Sequence, residues 1–256
     1  PNTGIFFQID MGILVGIGLG GTAISIPMAI VGKHFPLSNR TIAMSLVTAI
    51  GSFGYFLSPL LTTYSLSENG WQITLIAFLI ALFIGLIVSY FVRSPSLEQS
   101  IETPNSQSTL EAIKEAFASK SYILLVSGFF VCGFHITLVG THVPTYVVDR
   151  GLESWTAAAI LSLIGLFNII GSLLSGYLST KISKKIILSV IYTLRGISII
   201  LFIFLPASNI NAFIFGASFG FLWLSTVPAT SGIVAHMFGT KYLGLLYGIV
   251  FLSHQV

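Results

Sequence analysis

The chain has 256 residues and a net charge of +3, and only 7% of its residues are Asp, Glu, Lys or Arg, whereas a soluble domain carries about 25% charged residues. So small a share excludes a soluble globular protein, and a mean hydropathy of +0.95 indicates a chain that lies mostly in lipid. The few basic residues are scattered between apolar blocks, which is typical of membrane topology and not of nucleic-acid binding.

Apolar runs long enough to cross a bilayer follow one another along the chain. They fall at about residues 9–31, 41–66, 71–92, 121–148, 155–178, 185–205 and 210–235, and an eighth begins near 241. Backbone polar groups in hydrocarbon must find their partners within the protein, so these runs predict α-helices. The expected fold class is therefore all-α, a polytopic membrane helix bundle.

One connection between the runs differs from the short polar turns that join the others. Residues 93–120 are polar, include Pro95 and Pro104, and contain a short amphipathic stretch at 110–117. This composition predicts a linker between two groups of helices. We expect three helices in residues 1–92, and four helices with part of a fifth in residues 121–256.

The charges of the connections predict how the helices are oriented. Alternate loops lie on opposite sides of the membrane, and Arg150 is the one basic residue on the side away from the linker. The basic residues on the linker side are Lys33, Arg40, Arg93, Lys114, Lys120, Lys181, Lys184, Lys185 and Lys241. The positive-inside rule therefore makes the linker cytoplasmic in a multi-pass protein of the cell membrane, either a plasma membrane or a bacterial inner membrane.

A weak internal repeat supports two related groups of helices. The triplets at residues 25–27 and 226–228, Ser-Ile-Pro and Thr-Val-Pro, are 201 residues apart, and a basic residue follows each proline by thirteen positions, at Arg40 and Lys241. Paired helices interrupted by proline are typical of transporters built from repeats.

Two sets of motifs resemble those of the major facilitator superfamily. Residues 176–185, GYLSTKISKK, resemble its cytoplasmic loop signature in the second-half copy. Gly16, Gly18 and Gly20, then Pro27 and residues 33–35, resemble its monocarboxylate and oxalate/formate branch, as do Arg40, Gly51, Gly54, Ser58 and Pro59. The resemblance implies about helices four to eleven of a twelve-helix protein that is truncated at both ends; the start at Pro1 agrees with a fragment.

Four residues inside the runs are candidates for solute binding or coupling. Arg195 lies about ten residues into its run, near the bilayer midplane, where a charge is costly and is seldom kept without a role or a partner. It either meets an anionic solute or a carboxylate, or bonds to carbonyls, aromatic rings or a buried polar group.

His135 either couples proton movement or is a neutral side chain hydrogen-bonded between helices. Trp223 either faces a cavity or packs in the core or against lipid.

The fourth candidate and the gating loop come from the resemblance. In the branch named above an arginine of the eighth helix often faces the carboxylate of the solute, and Asn168 lies in the corresponding stretch. The loop signature implies gating residues at Lys181, Lys184 and Lys185. Pro228 falls toward the end of a run, where it either permits bending or ends the helix.

These observations predict a secondary active transporter of a small solute that works by alternating access. The resemblance implies an organic anion, such as a mono- or dicarboxylate, with protons as candidate coupling ions and the lipid bilayer as a partner. Two alternatives stay open, a drug or other metabolite exporter of the same superfamily and a multi-helix membrane receptor. An enzyme, a cofactor and a metal site are not expected, because Cys132 is the single cysteine and no cluster of acids or of histidines at ligand spacing occurs.

Overall fold

A computed structural model describes residues 4, 8–21, 24–91 and 108–255, and regular structure in this part of the chain is helical. After a π-helical turn at Ile9–Leu14, the α-helices in chain order are α1 (Val15–Gly21), α2 (Ser25–His34), α3 (Leu37–Phe91), α4 (Thr109–Ala118), α5 (Lys120–Asp149), α6 (Ser154–Leu178), α7 (Lys184–Phe204), α8 (Asn209–Leu222), α9 (Thr226–Phe238) and α10 (Leu243–Gln255). The predicted all-α class is confirmed.

The run predicted at 9–31 is not one regular α-helix. Its first part is the π-helical turn followed by α1, and α2 begins separately at Ser25. Four of the seven residues of α1 are glycines, at positions 16, 18, 20 and 21. Glycine disfavours a regular α-helix by about 1 kcal/mol per residue relative to alanine, which agrees with the shortness of α1.

The runs predicted at 41–66 and 71–92 are the two arms of α3, which folds back at Gly70. As a straight helix its 55 residues would extend about 80 Å, far more than a bilayer. Gly70 adopts φ 75°, a left-handed conformation that favours glycine. The Ser65 and Thr74 hydroxyl oxygens are 2.8 Å apart, whereas nine residues of continuous helix would separate them by about 13 Å along the axis. The predicted turn is therefore confirmed in position.

Among the described residues, five helical stretches are long and apolar enough to cross a membrane. They are Ser38–Phe91, Lys120–Asp149, Ser154–Leu178, Lys184–Phe204 and Asn209–Phe238. Three correspond to the runs predicted at 121–148, 155–178 and 185–205, and α10 corresponds to the run that begins near 241. The run predicted at 210–235 is confirmed as one membrane-length stretch, Asn209–Phe238. It is not one continuous helix, because it consists of α8 and α9 with a break at residues 223–225.

The described part of the linker confirms the short helix predicted at 110–117. Ser108 caps α4 by accepting the Glu111 backbone N–H at 3.3 Å, and the Glu111 carboxylate accepts the Ser108 N–H at 2.7 Å. This reciprocal pair is a capping box. Pro95 and Pro104 lie outside the described residues, and the division of the chain into two halves stays a prediction.

The described residues before and after the linker, here called the N-segment (24–91) and the C-segment (108–255), pack along α3 and α6. The first arm of α3 runs antiparallel to α6, with Ser45 beside Gly176 and Phe56 beside Gly165. A Cβ on Gly165 would lie 2.3 Å from the Phe56 backbone nitrogen, so a larger residue does not fit there. We call this contact of α3 with α6 the seam. It places the polar faces of both helices against the broken pair α8–α9.

Candidate gating and solute site

The break between α8 and α9 follows from Pro228. In a continuous helix the N–H of residue 228 would donate to the carbonyl of Leu224, but proline has no N–H and its ring crowds that carbonyl. The Leu224 carbonyl instead accepts the Val227 N–H at 2.9 Å, which closes a tighter turn. Helix α8 therefore ends at Leu222 and α9 begins at Thr226. The break, residues 223–225, exposes backbone groups that need partners from elsewhere.

Arg195 of α7 supplies partners for the carbonyls at the end of α8. Its Nε and Nη2 donate to the Leu222 carbonyl at 3.1 and 2.7 Å, and Nη2 also donates to the Trp223 carbonyl. Its Nη1 donates to the Cys132 sulfur at 3.1 Å, and the guanidinium lies 5.6 Å from the Tyr192 ring centre. Arg195 is completely buried and forms no salt bridge with another described residue. The guanidinium thus acts as a side-chain cap for the broken helix.

Asn168 of α6 supplies the partner for an N–H of the break. Its Oδ1 accepts the Leu224 N–H at 2.7 Å, and its Nδ2 donates to the Ser52 hydroxyl oxygen at 2.6 Å. Both bonds use a completely buried side chain. Ser175, seven residues further along α6, donates its hydroxyl to the Ser225 carbonyl at 2.5 Å. Each unpaired backbone group would cost about 1–3 kcal/mol in this interior, so these contacts are what makes the break tenable.

Trp223 lies in the break and is 4% exposed. Its ring is 5.3 Å from the Phe219 ring centre on one side and 5.7 Å from the Tyr55 ring centre on the other. Tyr55 belongs to α3, so this aromatic contact joins the N-segment to the break of the C-segment. Trp223 therefore packs against aromatic residues, which was the second of its two predicted environments.

Tyr55 also lines an open cavity of about 630 Å³, here called the vestibule. The vestibule lies between α3, α5 and α6, near the loop that joins Asp149 to Ser154. Its polar lining consists of Tyr55, Ser58, Thr62, Thr63, Thr145, Asp149 and Ser154, and no Lys, Arg or His among the described residues lines it. Hydroxyl groups and one carboxylate thus face this space, and Tyr55 links it to Trp223, whose carbonyl accepts from Arg195.

His135 lies on α5 and is half-buried. Its Nδ1 is buried without a hydrogen-bond partner among the described residues, and the ring lies within electrostatic range of Arg195. His135 is thus near the break but forms none of the contacts that hold it. Of the four candidates, the structure brings Asn168, Arg195 and Trp223 together at the break and leaves His135 beside them.

The three loop lysines lie at the connection of α6 to α7 and differ in their packing. Lys181 and Lys185 are exposed, whereas Lys184 is half-buried. A Cβ on Gly232 would lie 2.9 Å from the Lys184 Cε and 3.1 Å from the Thr41 Oγ1. The Lys184 stem therefore crosses α9 next to α3, and this is the loop lysine placed to respond to movement between the segments.

Several residues of this site were not identified from the sequence. Ser52, Tyr55 and Ser175 complete the contacts around the break, and the Cys132 sulfur lies 3.3 Å from the Thr226 hydroxyl at the start of α9. The position of Pro228 was the one available signal, because a proline disturbs the carbonyl four residues before it. Serines and a tyrosine in apolar helices have no comparable pattern.

The described helices include several that are long enough to cross a membrane, and the broken pair α8–α9 is hydrogen-bonded to α6 and α7. This is the architecture of a multi-pass membrane protein. The chain belongs to the Major Facilitator Superfamily, whose family model matches residues 4–256. Several curated proteins similar to the chain are named as transporters or transport proteins. The expected location in the cell membrane agrees with this membership.

Curated relatives are similar to the chain at low identity. An uncharacterized MFS-type transporter of Bacillus subtilis is 24% identical over 263 residues, which cover 100% of this chain and 64% of the relative. A cis,cis-muconate transport protein of Acinetobacter baylyi is 24% identical over 69% of this chain and 46% of the relative. A riboflavin transporter of Saccharomyces cerevisiae is 22% identical over 98% of this chain and 53% of the relative. The chain thus spans about half to two thirds of the length of these relatives.

Proposed function

We propose that the protein containing this chain is a secondary active transporter that moves a small solute by alternating access. The observation that carries the proposal is the break at 223–225, which is hydrogen-bonded to α6 and α7 and lies behind the Tyr55–Trp223 contact at the seam. Broken helices with satisfied backbone groups near a cavity are where repeat-built transporters place their sites. Membership of the superfamily supports the same activity.

For the solute we propose an organic anion, such as a mono- or dicarboxylate of the kind handled by the monocarboxylate and oxalate/formate branch. The name of the muconate relative, which refers to a dicarboxylate, supports this class. Arg195 supports it electrostatically, because no acidic residue among those described neutralises the guanidinium. Since the Arg195 nitrogens already donate to two backbone carbonyls and to the Cys132 sulfur, the residue attracts an anion through its field while His135 offers a direct contact.

A neutral, hydroxylated metabolite is the second candidate for the solute. The vestibule presents hydroxyl groups and Asp149, with no basic side chain among its described lining residues. Such a lining favours the binding of a neutral, hydrogen-bonding solute over that of an anion in the vestibule. The relative named as a riboflavin transporter supports this alternative.

Uptake by the full-length protein in proteoliposomes tests the function and distinguishes the two solute classes. The panel contains labelled muconate, lactate, oxalate, riboflavin and a neutral sugar, measured with and without an inward proton gradient and against protein-free liposomes. Gradient-dependent uptake of the carboxylates supports the anion, and uptake of riboflavin or sugar alone supports the neutral class. Absence of flux for a broad panel, with correctly folded protein, contradicts the transporter proposal.

We further propose that protons are the coupling ion and that His135 carries them, because imidazole titrates near neutral pH and Nδ1 has no hydrogen-bond partner in the described part of the chain. His135→Gln keeps a hydrogen-bonding side chain but does not titrate. Proton-driven accumulation is expected to be lost in this variant, while exchange of solute across a membrane without a proton gradient continues. His142→Gln is the matched control, since His142 is exposed on the same helix. Equal accumulation by the His135→Gln variant and the unmodified protein excludes this role.

A further inference from the structure

We propose that Asn168 is a positioning residue that couples contact across the seam to the geometry of the break. One amide group joins both: Nδ2 donates to Ser52 of the N-segment at 2.6 Å, and Oδ1 accepts the Leu224 N–H of the break at 2.7 Å. The Leu224 N–H requires an oxygen acceptor, so the amide orientation is determined and its NH₂ group must face Ser52. Asn168 was a solute-binding candidate from the sequence, and these contacts assign it to a different task.

A second contact links the same two places. Tyr55 lies three residues after Ser52, less than one turn further along α3, and its ring packs against Trp223 at 5.7 Å between ring centres. From one face of α3, Tyr55 thus contacts Trp223 of the break directly, and Ser52 is linked through Asn168 to the neighbouring Leu224. A movement of α3 away from α6 therefore removes a hydrogen bond and an aromatic contact together.

The break has an alternative hydrogen-bonding arrangement to adopt after such a movement. The Gly220 carbonyl now accepts the Trp223 N–H at 3.0 Å, which is a tight turn at the end of α8. In a regular helix the same carbonyl would accept the N–H of Leu224, four residues later. Rewinding by about one residue would therefore satisfy Leu224 without Asn168. Pro228 prevents continuous rewinding into α9, so the segment has two arrangements and not a gradual series.

As long as α3 and α6 stay in contact, the hydrogen bond from the Leu224 N–H to Asn168 favours the observed arrangement of the break. The seam itself tolerates little deformation, because the two backbones meet at Gly165 without an intervening side chain and the Ser45 side chain fills the space at Gly176. Contact or separation at the seam thereby changes the surroundings of Trp223, which contacts Tyr55 of the vestibule and accepts a hydrogen bond from Arg195 through its carbonyl. Only the connection of this coupling to solute movement rests on the alternating access proposed above.

The test uses the full-length protein in lipid nanodiscs with spin labels at Thr63→Cys and Ser154→Cys, which are exposed on opposite sides of the vestibule. Double electron–electron resonance measures the distance between the two labels and so shows whether the vestibule is narrow or wide. Hydrogen exchange of the peptide that contains Leu224 shows how well the backbone of the break is protected. The variants are Ser52→Ala, Asn168→Ala and both together. Thr156→Val is the matched control, because Thr156 of α6 is equally buried but bonds to Asn209 within the C-segment at 3.0 Å.

Ser52→Ala is expected to raise the ratio of wide to narrow populations about five-fold, the factor that corresponds to a net hydrogen bond of about 1 kcal/mol. It is also expected to speed exchange at the Leu224 peptide, although Ser52 does not contact the break. Asn168→Ala should produce at least the same changes, because it removes the bonds to both Ser52 and Leu224. The double variant should not exceed it, since the Ser52–Asn168 bond is already absent in Asn168→Ala.

Unchanged distances and exchange in Ser52→Ala overturn the proposal, and so does an equal response in Thr156→Val. If Asn168→Ala fails to fold, Ser52→Ala decides the question alone, since it removes one hydroxyl and leaves the Asn168–Leu224 bond in place. The distance and exchange measurements need no solute. A protein that transports nothing in the uptake panel can therefore still support the coupling, and an active transporter can still refute it.

Discussion

Arg195 donates to the carbonyl of Leu222 through two nitrogens, Nε at 3.1 Å and Nη2 at 2.7 Å. The two residues are 27 positions apart and belong to neighbouring helices, α7 and α8. A carbonyl freed by a helix break thus receives the two donors that a planar guanidinium presents side by side. Arg195 therefore stabilises the break by a geometry that no other cationic side chain reproduces.

This geometry predicts a graded loss of stability on substitution of Arg195. Arg195→Met leaves the Leu222 and Trp223 carbonyls without their donors and is expected to cost about 2–4 kcal/mol. Arg195→Lys keeps the charge and one donor direction, so its loss should be smaller. Thermal unfolding of the full-length protein in detergent measures both. Arg150→Lys is the control and should change little, because Arg150 is exposed; equal losses for Arg195→Lys and Arg195→Met would contradict the role of the guanidinium geometry.

Pro228 predicts the location of the break and hence the result of replacing it. Pro228→Ala restores an N–H that can donate to the Leu224 carbonyl, so α9 should extend toward α8 and hydrogen exchange across residues 223–228 should slow. The transport rate is expected to fall, since the two arrangements of the break are no longer balanced. Pro59→Ala is the control, because Pro59 lies inside α3 without such a break. Faster exchange in Pro228→Ala would show that the proline does not cause the break.

The close approach at the seam predicts opposite effects for two glycines. Gly165→Ala places a methyl group 2.3 Å from the Phe56 backbone nitrogen, so one helix must move, at a cost of about 1–3 kcal/mol. Gly51→Ala on α3 meets no atom within 4 Å and should be neutral or stabilising by up to about 1 kcal/mol. Thermal unfolding in detergent compares them. Equal unfolding temperatures for the Gly165→Ala and Gly51→Ala variants would mean that α3 and α6 pack less tightly at Gly165 than their close approach indicates.

The capping box of α4 predicts a pH dependence outside the membrane-spanning helices. Hydrogen bonds from the Ser108 backbone and side chain hold the pKa of the Glu111 carboxyl below its ordinary range. A depressed pKa means that the stabilisation is present above the unfolded-state pKa and is lost as the pH falls through the folded-state value. A spin label at Lys114→Cys should therefore become mobile only at a pH below the usual glutamate range.

Ser108→Ala supplies the comparison for this pH dependence. Without the serine hydroxyl the label should be more mobile at neutral pH, and the remaining transition should move toward the ordinary glutamate range. A label that stays equally ordered in both proteins down to low pH would show that packing of α4, and not the capping box, holds the helix.

Helix class and most helix positions were predictable because they depend on neighbours in the sequence. The arms of α3 follow the apolar runs before and after Gly70, and α5, α6 and α7 begin and end within a few residues of the predicted limits. The break within the run at 210–235 was not predicted for the same reason. An apolar run shows that a segment crosses the membrane, but its hydropathy is unaffected when one proline divides it into α8 and α9.

The candidate site was predicted in part. Of the environments considered for Arg195, hydrogen bonds to carbonyls are observed, whereas direct contact with a solute stays a prediction. Asn168 and Trp223 were named for a cavity, and both lie at the break. Ser52 and Tyr55 had no recognisable signal, since a hydroxyl or a phenol in an apolar run has the same local pattern whether it faces lipid or another helix.

By itself the sequence determined that the chain lies in a membrane as helices, since the scarcity of charge and the length of the apolar runs leave no other solvent or backbone structure. Only the tertiary structure decided which polar groups satisfy one another. Asn168 bonds to Ser52, 116 positions away, and Arg195 bonds to carbonyls of the next helix. The reason is physical: where water is absent a polar group must find its partner within the protein, and that partner depends on which helix faces meet.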